Sequence, residues 1–140
     1  MKFSRTVTYA VRATLELAKC GSNSPVPCSR LVASGNMPER FLLQILRDLV
    51  NHGILKSTRG IDGGYALNRR PEEVSLLDVI EAIDGPLDFA GDGGGNAEDS
   101  THSRFQAALR SVTYSARQQL ESIKLSQLLP APRPRPTVVS

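Results

Sequence analysis

Apolar residues at Val7, Ala10, Val11, Leu15 and Ala18, with Thr14 in the same row, recur in steps of three and four. They predict an amphipathic helix from about Arg5 to Lys19. Gly21-Ser22-Asn23-Ser24-Pro25 ends it. A short second helix is expected from near Ser29, carrying Leu31 and Val32, with a turn at Gly35-Asn36. Pro38 suits the first position of a third helix, where its missing N–H has no helical partner to lose, and Glu39 favours the positive end of the dipole. In that helix Leu42, Ile45, Leu46 and Leu49 form the buried stripe. Arg40, Gln44, Arg47 and Asp48 stay on other faces until His52-Gly53 closes it.

The period then changes. Ile54 to Ser57 and Tyr65 to Leu67 read as two strands, joined by a turn in which glycines 60, 63 and 64 are expected to supply positive backbone angles. Arg69-Arg70-Pro71 marks the exit, and Ser75-Leu76-Leu77-Asp78 resembles a capping box opening a fourth helix. Val79, Ile80 and Ile83 point inward there, and Asp84-Gly85-Pro86 stops it. Gly91 to Ser103 has no apolar period and reads as a mobile loop, for which a plain linker is the simpler role. Phe105, Leu109, Val112, Ala116, Leu120 and Ile123 repeat in steps of four and three over a further long helix. One apolar face on a helix beyond a small finished domain is most simply buried against its copy, giving a two-fold dimer. Pro130-Ala131-Pro132-Arg133-Pro134-Arg135-Pro136 is a stiff, extended tail.

These elements define a mainly α fold with a small β wing, a winged helix-turn-helix domain plus a long C-terminal dimerisation helix. The expected divisions are a DNA-binding domain at 1–86, a flexible Gly/Asp-rich loop at 87–103, the dimerisation helix and a short end segment at 104–129, and the tail at 130–140. The 140 residues suffice for one core, and no apolar run reaches the length of a membrane span, so a cytoplasmic protein without a membrane partner is expected.

Charge sharpens the picture. The net charge is only +3. Residues 1–70 nevertheless hold 11 basic and 4 acidic side chains, whereas residues 71–103 hold 9 acidic and no basic ones. A basic first half favours a polyanion, with the acidic middle facing away from it. The polar face of the third helix, with Arg40, Gln44 and Arg47, and Arg59 at the hairpin tip are the equipment of a DNA reader.

Tyr9-Ala10-Val11, Pro38-Glu39-Arg40-Phe41-Leu42-Leu43-Gln44-Ile45-Leu46, Gly53-Ile54-Leu55, Arg59-Gly60 with Gly63-Gly64-Tyr65, and Leu77-Asp78-Val79-Ile80 carry a resemblance. Over about residues 1–129 the chain resembles the bacterial winged-helix transcription regulators typified by IscR, NsrR and CymR. The resemblance implies a homodimer that docks paired recognition helices in successive major grooves of a palindromic operator, each wing in the adjoining minor groove. The implied DNA contacts are Arg40, Phe41 and Gln44 in the helix that Pro38 opens, and Arg59 with Gly60 in the wing. Gln suits adenine edges, Arg suits guanine or phosphate, and a wing Arg suits a narrow minor groove. Phe41 fits either a thymine methyl or packing against the first helix. Arg47 and Lys56 fit phosphate contact or a solvated surface equally, and Ser4 and Arg5 are placed to hold phosphate at a helix end.

Several relatives hold an iron-sulfur cluster through three cysteines in the loop before the long helix, but Leu87 to Ser103 contains none. Only His102 matches the site's histidine end. No loop cluster, metal or other cofactor is therefore expected, which aligns the chain with the cluster-free members. Cys20 and Cys28 bracket the first turn and admit two readings, a redox switch or inert small hydrophobes. No Ser/His/Asp set, metal-ligand cluster or phosphate loop after a strand is present, so no enzyme is read. The function expected is a sequence-specific, dimeric transcription regulator, a repressor in preference to an activator because a bound dimer can block polymerase by itself; its effector stays open. The alternatives are a redox- or metal-responsive sensor with ligands outside the loop, and a winged-helix protein-interaction module without DNA binding. The latter predicts a neutral or acidic recognition face.

Overall fold

Ser4 opens the first helix, α1 (Arg5–Cys20). Its backbone is extended and its hydroxyl accepts the Val7 N–H at 3.1 Å, satisfying one donor that a helix start leaves free. The structure is a computed structural model and describes residues 3–21, 24–91 and 100–130. Helix α1 buries Val7, Ala10, Ala13, Thr14 and Leu17, while Val11, Leu15 and Ala18 pack at its flank. The deepest line is thus turned from the predicted stripe, because four other helices and a strand contact α1 and bury a wide arc of it. Thr14 is fully buried and donates its hydroxyl to the Ala10 carbonyl at 2.6 Å, so the polar group is not left orphaned.

The second helix, α2 (Cys28–Gly35), ends at Asn36, which adopts the left-handed conformation (φ 51°, ψ 43°) and returns its N–H to Val32 at 3.0 Å. Asparagine is among the few side chains that tolerate that region. Met37 drops into the core, and Pro38 stands one place outside the third helix, α3 (Glu39–Asn51), as its cap instead of its first residue. Leu42, Ile45, Leu46 and Leu49 are buried as predicted.

The wing is an antiparallel hairpin of β1 (Leu55–Thr58) and β2 (Gly64–Leu67), with Leu55 opposite Leu67 and Thr58 opposite Gly64. Val26 forms a single antiparallel rung to β2 from outside the hairpin, through two backbone hydrogen bonds with Tyr65 at 2.8 and 2.9 Å. Gly60 and Gly64 take the positive φ expected of them, but Gly63 does not. Gly63 is needed because a β-carbon there would strike the Thr58 carbonyl, and Gly64 also because one would strike the Val26 backbone.

Ser75 and Asp78 form the predicted capping box, each side chain taking the other's N–H at 3.0 Å, at the start of the fourth helix, α4 (Leu76–Asp84). Leu77, Val79, Ile80 and Ala82 are buried, and Ile83 is half-buried. The long helix α5 (Ser100–Ser122) begins before the expected boundary, so residues 100–103 belong to the helix and not to the loop. Ser100, Thr101, His102 and Ser103 have no apolar period, which hid this turn from pattern reading. Of the rest of the expected loop, residues 87–91 are described, with the Leu87 N–H donating to Glu81 Oε2 at 3.1 Å, while residues 92–99 and the tail at 131–140 lie outside the described residues.

The short helix α6 (Leu125–Leu128) brings Leu125 fully into the main core. The Leu125 N–H donates to Val74 at 2.9 Å, and the Leu76 N–H donates to Ile123 at 2.9 Å. Helix α5 rests on α4, where Arg117 pairs with Glu81 at 2.7 Å and Thr113 accepts the Phe89 N–H at 2.9 Å.

Candidate nucleic-acid interface

One helix and one hairpin hold most of the predicted contact residues. The buried leucine stripe clamps α3 into the core, so the opposite side faces solvent with Arg40, Gln44 and Arg47 exposed. Phe41 is 59 % exposed, so most of its ring is open to solvent. Leu43, 42 % exposed, lies on the same side between Arg40 and Arg47. Pattern reading passed over Leu43 because a leucine in an amphipathic helix is assigned to the core by default. Gln44 donates its amide to Asp48 Oδ1 at 3.1 Å. A carboxylate only accepts, so this bond turns the Gln44 amide nitrogen toward Asp48 and leaves the carbonyl oxygen free.

The hairpin begins directly after α3, and Lys56, Arg59 and Gly60 are exposed on it. Among the described residues the ion pairs are Lys19–Glu16, Arg69–Asp78 and Arg117–Glu81. Arg40, Arg47, Lys56 and Arg59 therefore keep their charges for an outside anion.

The start of α1 is different. The Ser4 hydroxyl that caps the helix also reaches Asp84 Oδ2 at 3.4 Å, so a carboxylate already stands at the positive end that a phosphate would need. Arg5 is exposed beside it. Cys20 is exposed and Cys28 half-buried, both as free thiols. Burial and the nearby Glu39 charge push the Cys28 thiol above its ordinary range, which lowers its thiolate fraction. His52 closes α3 with its ring Nδ1 2.9 Å from the Asp48 carbonyl, a capping position.

On α5, Phe105 and Val112 of the predicted dimer stripe are exposed, at 57 % and 55 %, while Leu109, Ala116 and Leu120 are half-buried. Ile123 falls just past the helix, half-buried. The residues that α5 buries most are Gln106 and Thr113, which apolar counting could not find. Thr113 is satisfied by donating to the Leu109 carbonyl at 2.8 Å.

A basic recognition helix followed by a cation-tipped hairpin is matched along the chain by a known family. The family model described as Rrf2, iron-dependent transcriptional regulator, matches residues 3–131. The chain belongs to the Rrf2 family. It is a DNA-binding transcriptional regulator of the winged-helix class and not an enzyme. A Mycobacterium tuberculosis protein named as an HTH-type transcriptional regulator is 37 % identical over 123 residues, 88 % of this chain and 75 % of that protein. CymR of Bacillus subtilis is 33 % identical over 87 residues, 62 % of this chain and 63 % of that protein. The solved structure of B. subtilis CymR, the global cysteine regulator, superposes with a TM-score of 0.75, at 27 % identity and covering 91 % of this chain and 95 % of that one. IscR of T. potens gives 0.72 at 28 % identity, covering 91 % and 85 %.

The Rrf2 description names iron, and the donor set of this chain tests that against its own residues. The two cysteines sit at the end of α1 and the start of α2. Among the described residues no three of His, Cys, Asp or Glu converge. His102 Nε2 on α5 is buried with no hydrogen-bond partner among the described residues, but one nitrogen does not replace the thiolates that hold a cluster. A thiolate-held iron-sulfur cluster does not fit these residues.

Proposed function

We propose that this Rrf2-family protein is a homodimeric repressor that binds a palindromic operator in the cytoplasm. Each α3 enters a major groove, and each wing lies in the adjoining minor groove. The observation that carries this reading is that one helix and the hairpin after it expose four cations, Arg40 and Arg47 on α3 and Lys56 and Arg59 on the hairpin, none of which has an ion pair among the described residues. Arg40, Phe41, Leu43 and Gln44 meet base edges, Arg59 with Gly60 meets the minor groove, and Arg47 and Lys56 meet phosphate. A recognition face this basic disfavours a protein-interaction module that has abandoned DNA. Association occurs along α5, where Phe105 and Val112 lack cover within one chain.

Selection of bound sites from random duplexes tests the reading. The expected product is an inverted repeat whose half-sites lie about one helical turn apart, with binding that weakens steeply as salt rises. Equal affinity for the selected and random duplexes at every salt concentration would remove sequence recognition from the proposal.

A further inference from the structure

The wing tip carries a side chain that the electrostatic account leaves idle. Ile61 is 105 % exposed, as bare as in an extended peptide and the most exposed large apolar residue among the described residues. It sits between Arg59-Gly60 and Asp62-Gly63 in the turn joining β1 to β2. Gly60 has φ +114° with open space around it, and Gly63 has no room for a β-carbon. The tip therefore presents three side chains, those of Arg59, Ile61 and Asp62, and one of them is a β-branched hydrocarbon held in water.

We propose that Ile61 is a second specificity determinant of the DNA complex, lying on the floor of the minor groove beside Arg59 and rejecting guanine there. The inference rests on the reading that the wing enters the minor groove. In that groove a G·C pair differs from an A·T pair by the guanine 2-amino group, which stands up from the floor and donates a hydrogen bond. An alkyl side chain laid over it blocks its water and gives no acceptor in return, leaving a donor unsatisfied. Over A·T pairs the floor is clear and the groove narrower, so its walls close on the isoleucine and remove its apolar surface from water. Proteins that bend DNA use apolar side chains in this groove in a related way. Arg59 and Ile61 then have separable duties, since the guanidinium senses phosphate potential and responds to salt, whereas the alkyl contact does not. Asp62 marks the opposite possibility, because its carboxylate would accept from the guanine amine and favour G·C.

The test uses the full chain, the selected operator, and versions in which each flanking pair in turn is A·T, G·C or inosine·C, which lacks the 2-amino group. Wild-type protein should bind A·T and inosine·C alike at the wing position and G·C more weakly. Ile61→Ala should weaken operator binding by about tenfold, the order expected for taking away part of one buried aliphatic side chain. It should also abolish the distinction among the three pairs while leaving the salt slope unchanged. Ile61→Val should retain most of both properties. Because Ile61 touches no core, an unchanged thermal melt separates these effects from unfolding. An Ile61→Ala protein that keeps wild-type affinity and base order overturns the inference, and so does a wild-type preference for G·C that disappears in Asp62→Asn. Wild-type protein that binds no duplex overturns the DNA-binding reading itself, and the wing inference with it.

Discussion

Gln44 and Arg59 differ in what a single side chain can distinguish. The Gln44 amide pairs a donor with an acceptor, and its bond to Asp48 pre-sets which of them points away from the helix. Gln44→Ala should therefore cost about 1–3 kcal/mol on the best operator and relax preference at one position per half-site, with little effect on random duplex. Position-by-position competition assays read that pattern directly; a uniform loss on all duplexes would mean that Gln44 contacts the backbone. Arg59 carries a permanent charge with no ion pair among the described residues, so Arg59→Ala should weaken binding and reduce the salt slope by about one unit. Asp62 is the acidic residue of the hairpin tip, and its charge opposes the phosphates. Asp62→Asn should tighten binding to every duplex at low salt, the gain fading as screening increases, which anisotropy titrations at two salt concentrations would show.

Elements differ in how plainly they are written in the chain. Helix α3 was legible because one side is buried and the other solvated, so its leucines repeat with a single helical period. The wing was legible in its glycines, although the reason for Gly63 is close packing on Thr58 and not a positive φ. Two supports escaped pattern reading. The Val26–Tyr65 rung is made of backbone hydrogen bonds, which leave no side-chain signature, and α6 has four residues, too few to show a period. Stability measurements can weigh such supports. Gly64→Ala sets a β-carbon against the Val26 backbone, so it should lower the melting temperature and loosen the wing, whereas alanine at Gly60 meets open space and pays only for its φ. Ser75→Ala removes one arm of the capping box that starts α4 and should cost about 0.5–2 kcal/mol in denaturant unfolding. The residues proposed as contacts stand out in the sequence as charges on a helix and a turn; the exposure of Leu43 and Ile61 does not, because the fold alone shows which apolar side chains face solvent.

Across the whole molecule the charge segregation and the unfilled apolar surface point to different partners. Both ends of the chain are basic, residues 1–70 with 11 basic and 4 acidic side chains and residues 104–140 with 6 and 1, while the acidic residues gather in α4 and the segments flanking it, so DNA is repelled by that middle part of the protein. The apolar surface on α5 remains. Leu109 and Leu120 are half-buried within one chain, so charged substitutions there would disturb the fold together with any seam. Val112, 55 % exposed, separates the two effects. Val112→Asp leaves the described intramolecular packing intact but sets two carboxylates against apolar surface in a two-fold seam, where desolvation and mutual repulsion both oppose association. The expected product is a folded monomer in sedimentation, with a melt typical of a single chain. Its operator affinity should fall far more than its affinity for a single half-site, because each subunit then binds without help from its neighbour. If Val112→Asp and Phe105→Asp both remain dimers that bind the full operator normally, the seam lies off this face of α5, and the groove lined by Phe3, Leu87, Phe89 and Leu120 becomes the next surface to mutate.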